Sequence, residues 1–297
     1  MSSVTLLSLG LVFLVATHMP FAPQDDKWPR RVLITNDDGI DDSGLLALAE
    51  AFAPVAETYV VAPLDNRSGS SSFIAAIGQR SLDVIERELG DGITAYAVDG
   101  YPADAVAWAL KALLAENPPD LVISGINGGP NLSDDAYLSG TVGAARIAAF
   151  FGVPAIAVSG HNGEPESVST IARWVIQLSR SQLVRGLNTR QYLTVSIPRV
   201  AAAEIRGVDV ARRGPRMWEM EFERSDSTGN LTGSQRWDLL IVGQQPAVPA
   251  GTDTHAYGEN RIAIVPMRVD EHDYELLETL LDSGTGIPGW PAPEVSR

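Results

Sequence analysis

From Arg31 to Ile197, short β-branched runs alternate with segments of helical period, and this alternation is the feature that most constrains how the chain can fold. It specifies a mostly parallel sheet flanked by helices, because parallel neighbours must be joined by a crossover element. The strand-like runs are Val32 to Thr35, Tyr59 to Ala62, Leu121 to Ser124, Ala155 to Val158 and Tyr192 to Ile197. Between them, Ser43 to Phe52 repeats Leu45, Leu48, Ala49 and Phe52 on one face. Ala103 to Ala115 does the same with Val106, Ala107, Leu110 and Leu114, so both segments read as amphipathic crossover helices. Thr141 to Phe151 is rich in alanine and apolar nearly all round, which predicts a well-covered helix.

After Pro198 the pattern changes. Val208 to Ala211, Trp218 to Glu223 and Trp237 to Val242 read as strands separated by polar, glycine-containing turns, which predicts a hairpin extension over about 199–260. Arg261 to Pro266 reads as a further strand. Asp270 to Leu281 reads as a closing helix with Leu276, Leu277 and Leu280 inward, and Ser283 opens a loose tail, 283–297. A chain of 297 residues, 45% hydrophobic, can bury the core of one large α/β domain, placed here at 31–282.

Residues 1–30 form a leader. Val4 to Ala16 is uncharged and mostly apolar, too short for a comfortable membrane span and suited to the hydrophobic region of a signal peptide. This favours export to a periplasmic location, although the first residues lack Lys or Arg and Thr17 to Gln24 offers a poor cleavage site. An uncleaved anchor or a misassigned start are the alternatives, and no stable membrane partner is expected once a leader is removed.

Charge narrows the function. With 22 Lys and Arg against 37 Asp and Glu the net charge is -15, which repels polyanions and argues against a nucleic-acid polymer as partner. Only Lys27 and Lys111 are lysines, so a bound phosphate must be met by arginine, a metal ion or a helix N-terminus. The absence of cysteine removes thiolate nucleophiles and zinc sites of the cysteine type.

In open parallel sheets ligands gather at the carboxyl ends of the strands, and the polar clusters of this sequence fall there. The first strand runs into Asn36, Asp37, Asp38 and Gly39, the second into Pro63, Arg67, Ser68 and Gly69, and the Leu121 strand into Gly125, Asn127, Gly129 and Asn131. Adjacent carboxylates at the end of a buried strand are costly unless a cation or proton compensates them. Carboxylate, amide and hydroxyl oxygens together suit a hard divalent ion, Mg²⁺ or Mn²⁺. The competing reading makes Asn-Asp-Asp-Gly a turn, with Asp42 or Ser43 capping the next helix. Ser139, Gly140 and Thr141 open a helix with hydroxyls and a small residue, fit either to cradle a phosphate or to cap and pack tightly. Arg67 can clamp a phosphate or be a surface arginine, and His161 reads as a loop histidine.

Taken together these segments resemble the SurE, or stationary-phase survival protein, family of 5'(3')-nucleotidases. The marks are Val-Leu-Ile-Thr-Asn-Asp-Asp-Gly-Ile at 32–40, Val-Ala-Pro at 61–63, Asn-Arg-Ser-Gly at 66–69 and Pro-Ala-Asp at 102–104. Ser-Gly-Ile-Asn-Gly-Gly-Pro-Asn at 124–131 and Ser-Gly-Thr-Val at 139–142 complete them, and the match runs from Arg31 to about Met267. The resemblance implies a Rossmann-like sheet with a swapped C-terminal extension that builds homodimers or homotetramers. It implies that Asp37, Asp38, Ser68 and Asn127 hold one divalent metal ion per subunit, with Asn131 and Ser139 to Thr141 lining a phosphate pocket; Asn36, Arg67 and Gly69 join the substrate-binding set from their place on the same rim. The implied reaction is hydrolysis of nucleoside 5'- or 3'-monophosphates. Three departures stand out: Tyr101 where the family has threonine, at the mouth of the implied pocket, Ala105 where it has cysteine, and Ser133 where it has glycine. Typical members lack the leader and are cytoplasmic, the alternative to export.

On this expectation Asp37 orients or deprotonates the attacking water and Asp38 is mainly a ligand. An aspartyl-phosphate phosphatase needs Asp-x-Asp spacing and a lysine on the rim, and a P-loop enzyme needs Gly-Lys-Ser/Thr; the sequence has none of these. A non-catalytic nucleotide-binding module is the competitor from another class.

Overall fold

A computed structural model of the chain describes residues 27–228, 234–270 and 278. The elements in chain order are β1 (Arg31–Thr35), α1 (Ser43–Phe52), β2 (Glu57–Pro63), α2 (Ala76–Gln79), β3 (Val84–Arg87), β4 (Ile93–Val98), α3 (Pro102–Trp108) and β5 (Leu121–Asn127). There follow α4 (Gly140–Phe150), β6 (Ala155–Ser159), α5 (Pro165–Ser179), α6 (Gln182–Arg185), β7 (Gln191–Ser196) and β8 (Val208–Val210). The last are β9 (Trp218–Thr228), β10 (Gln235–Gly243), α7 (Asp253–Gly258) and β11 (Ile262–Arg268).

Nine strands form one sheet in the order β3-β4-β2-β1-β5-β6-β7-β11-β8, while β9 and β10 form a separate antiparallel ribbon. From β4 through β7 every pairing is parallel; β3 and β11 run against their neighbours β4 and β7. Chain progression runs outward from β1 to β2 and β4 on one side, and from β5 to β6 and β7 on the other. The reversal between β1 and β5 opens a crevice at their carboxyl ends, the place where such sheets bind ligands.

The central strands are apolar without alternation because helices cover both faces. Val32 and Ile34 pack with α1 and α5 residues such as Leu48, Phe52 and Val175, whereas Leu33 packs with Val106, Val142 and Ala148 of α3 and α4. Helix α1 is set by its stripe: Leu45, Leu48, Ala49 and Phe52 are fully buried, each larger side chain contributing about 1.5–3 kcal/mol. Asp42 fixes its start by accepting from the N-H groups of Gly44 and Leu45 at 2.8 and 3.0 Å. Helix α4 carries alanine and glycine because it lies close; a Cβ on Gly143 would run into the carbonyl of Ser71.

Three differences from the sequence expectation stand out. Val208 to Val210 belongs to the main sheet, parallel to β11, so the ribbon consists of β9 and β10 alone. The expected helix over 103–115 starts at Pro102 and changes at Ala109 to a π-helical turn ending at Leu113. Strands β3 and β4 and helices α5 and α7 were not anticipated. The expected closing helix, the tail and most of the leader lie outside the described residues. No helix among the described residues is long and apolar enough to cross a membrane.

Candidate active site

The loop after β1 is built to present two carboxylates. The side-chain oxygen of Asn36 accepts from the N-H of Gly39 at 3.2 Å and its amide donates to the Gly39 carbonyl at 3.0 Å, closing a four-residue turn. Gly39 takes φ +112°, a region costly for other residues. Both polar groups of Asn36, expected beside the phosphate, are thus committed to the turn that aims Asp37 and Asp38.

Asp37 is 3% exposed and points at the first turn of α4. The Thr141 hydroxyl donates to its Oδ1 at 2.6 Å, and the N-H groups of Gly140 and Thr141 face its carboxylate. Burial raises its pKa and these donors oppose the rise. Gly140 is needed here because a Cβ would lie 2.7 Å from the Asp37 Cβ and 2.8 Å from the hydroxyl of Ser70. Ser139 caps α4, accepting from the Val142 N-H at 3.1 Å.

Asp38 has a different environment. Burial first, then the charges of Asp37 and Asp42, push its pKa up to about 6, against the N-H of Gly128 and the amide of Asn66, which donates to Oδ1 at 3.1 Å. Its Oδ2 is buried with no hydrogen-bond partner, as is the Ser70 hydroxyl. The β5 end reaches the same place through Gly128. Asn127 donates its amide nitrogen to the Gly129 carbonyl at 2.7 Å, leaving its side-chain oxygen to act as an acceptor.

The loop after β2 is tied to the pair at two points: the Arg67 N-H donates to the Asp37 carbonyl at 2.7 Å, and Asn66 bonds Asp38. Ser68 is exposed between them, its N-H held by Asn66 at 2.9 Å, and Gly69 at φ +75° has open space where a side chain would stand. The Arg67 guanidinium lies 5.4 Å from the Tyr101 ring centre and 3.4 Å from Asp99. Asn131 sits further along the rim, donating to Ser159 at 2.7 Å.

The structure therefore brings the loops of Asp37–Asp38, Asn66–Ser68, Asn127–Gly128 and Gly140–Thr141 together, while the side chains of Asn36, Ser139 and Asn131 are occupied in holding those loops. His161 is buried beside them. Its Nδ1 accepts from the Gly163 N-H at 3.0 Å, and burial lowers its pKa. Sequence reasoning gave no role to Asn66 and Asp104, which it met only as family marks, and did not reach Ser70. The carboxylate of Asp104, 1% exposed, accepts from the N-H groups of Ala75, Ala76 and Tyr101 at 3.1, 2.9 and 2.9 Å. Among the described residues no three His, Asp or Glu side chains gather as metal ligands. A cation at Asp37 and Asp38 would complete its shell from neutral oxygens, which Asn127, Ser68 and water can supply.

The fold and this arrangement define a Rossmann-like α/β protein whose site pairs a buried and a half-buried carboxylate with a helix N-terminus at the crevice where strand order reverses. The chain belongs to the survival protein SurE family, whose model matches residues 32–220. A 5'-nucleotidase SurE of Methylococcus capsulatus is 36% identical over 258 residues, 87% of this chain and 98% of that protein. Another, of Desulfatibacillum aliphaticivorans, is 39% identical over 250 residues, covering 84% and 96%. The crystal structure of the SurE protein of Aquifex aeolicus superposes with a TM-score of 0.68 at 30% identity, covering 84% of this chain and 98% of that one.

Proposed function

We propose that this chain is a divalent-metal-dependent phosphomonoesterase that releases phosphate from nucleoside 5'-monophosphates, and from 3'-monophosphates as a second substrate class. The activity named for its relatives supports the reaction, and one observation carries the metal dependence: Asp38 Oδ2 is buried beside a second carboxylate without any donor. An unpartnered buried carboxylate oxygen is costly, and a cation compensates it. Asp37, Asp38, Ser68 and Asn127 supply the hard oxygen donors suited to one Mg²⁺ or Mn²⁺ per subunit.

When bound, that ion neutralises phosphate oxygens and makes a coordinated water more acidic. The protein does the rest. Thr141 and the N-H groups of Gly140 and Thr141 hold Asp37 as an acceptor oriented for the water proton. At the α4 N-terminus bare Gly140 leaves the room that Asp37 and Ser70 occupy, and the positive helix end favours the negative charge gathered there as it moves to the leaving oxygen. Ser70, whose hydroxyl lacks a partner, faces the same space.

The ribbon supports an oligomer. Phe222, Trp237, Leu239 and Ile241 are 61%, 54%, 51% and 58% exposed on a two-stranded sheet, which alone is marginal in water, so a homodimer or homotetramer that covers it is expected. The uncharged run of residues 4–16 favours export, with a cytoplasmic location as the alternative.

The test is phosphate release from AMP with and without added Mn²⁺ after chelation. Metal-restored turnover is the expected result; saturable AMP binding with no turnover would make the chain a binding module instead.

A further inference from the structure

Beside the phosphate cradle the structure holds an aromatic cluster that the reaction itself does not require. Phe73 and Tyr101 meet edge to face, ring centres 4.9 Å apart at 81°, and the Arg67 guanidinium lies over Tyr101. Phe73 is nevertheless 56% exposed. It is also close to the chemistry: its N-H donates to the carbonyl of Ser70 at 3.2 Å, and Ser70 is the residue whose hydroxyl abuts Gly140. One tight turn thus separates the ring from the phosphate cradle.

A single exposed phenylalanine is ordinary on a protein surface. This one is held in place. The three backbone bonds to Asp104 come from Tyr101 on one side and from Ala75 and Ala76, just after Phe73, on the other. One buried carboxylate therefore locks together both ring-bearing segments. Order without burial is what a recognition surface needs, because the ring loses little further entropy when a ligand stacks on it.

We propose that Phe73, backed by Tyr101 and Arg67, is the platform on which the base of the substrate stacks, so that this chain selects phosphomonoesters carrying a planar aromatic group one sugar away from the phosphate. This rests on the phosphomonoesterase reading above and deepens it. Stacking follows ring area, so purine nucleotides are expected to be preferred to pyrimidine nucleotides.

The experiment compares AMP with ribose 5-phosphate, which keeps the ester and sugar and lacks the base. The parent chain is expected to favour AMP in kcat/KM. Phe73→Ala should reduce that preference about tenfold, as loss of one stacked base implies, through KM for AMP, while Phe73→Trp preserves it and Tyr101→Thr lowers it less. An unmoved preference in Phe73→Ala, or an equal fall on both esters, would overturn the platform and leave the phosphatase standing. No turnover of either ester by the metal-loaded parent would overturn the phosphatase reading and the platform with it.

Discussion

The hydroxyl of Thr141 donates to Oδ1 of Asp37 at 2.6 Å, joining the first turn of α4 to the loop after β1 across 104 residues of sequence. A hydrogen bond to a buried carboxylate contributes about 1.5–3 kcal/mol, and here it also fixes the direction in which the other oxygen points. Thr141→Val keeps the shape and removes the donor. Turnover of AMP at saturating metal should fall about 10- to 100-fold, and Thr141→Ser should recover most of it. Valine at the parental rate would show that Asp37 needs no such orientation.

The second carboxylate gives a pH signature for the metal-free protein. Asp38 has an ordinary pKa of 3.8 and about 6 when folded, raised first by burial and then by Asp37. The folded state therefore holds a proton that the unfolded chain releases, and stability is lost as pH rises between those two values. Asp38→Asn removes the penalty, so in chelator its melting temperature should gain on the parent across this window and hold a constant lead above it. Adding Mg²⁺ or Mn²⁺ should stabilise the parent more than the variant. Parallel melting curves for the two proteins at every pH would contradict this origin of the strain.

How far the sequence could be read follows from which physical signals are local. β1, β5 and β6 are short apolar runs, β7 is rich in β-strand formers such as Tyr192, Thr194 and Val195, and α1 carries large side chains at helical spacing, so these elements were legible. β4 was not, because its buried positions Ala95 and Ala97 are small, and the alternation they make with Thr94 and Tyr96 is weak. β3 is an edge strand with Ile85 and Glu86 exposed. Helix α5 carried a readable stripe, Val168, Ile171, Ala172, Val175 and Leu178, that was passed over. The pairing of three-residue β8 with β11, 54 residues away at Val208 and Ile262, has no local sign. At the site, doubled carboxylates after a buried strand announce themselves. That Asn36 and Ser139 bind their own loops while Asp104 gathers three N-H groups depends on contacts no spacing reveals.

Two glycines of α4 should separate function from folding. A Cβ at Gly140 would stand 2.7 Å from the Asp37 Cβ, which moves only with the loop after β1, and 2.8 Å from Ser70 Oγ, which can rotate away. Gly140→Ala should thus displace Asp37, costing roughly tenfold or more in kcat with a small change in melting temperature. At Gly143 the obstacle is the backbone carbonyl of Ser71, which cannot step aside. Gly143→Ala should lose about 1–3 kcal/mol of stability in denaturant titrations, as overpacked sites do. If Gly140→Ala were fully active, the close seating of Asp37 against that turn would not matter to turnover.

Asp104 supplies the most stringent test of the loop architecture, because its role is geometric and remote from the reacting atoms. Its Oδ2 accepts from Ala75 and Tyr101 and its Oδ1 from Ala76, all buried or half-buried N-H groups, and as the third residue of α3 it also favours the positive helix end. Asp104→Asn is nearly isosteric but turns an NH₂ group toward at least one of these donors, at a cost of about 1–3 kcal/mol. Asp104→Ala orphans all three and should cost more. The two segments it joins carry Phe73 and Tyr101, whereas Asp37 and Asp38 are held by other bonds. Asp104→Asn should therefore raise KM for AMP more than it lowers kcat, measured at a temperature where both proteins are fully folded. A pure loss of kcat with KM unchanged would place Asp104 in the support of the carboxylate pair and not in that of the aromatic rim.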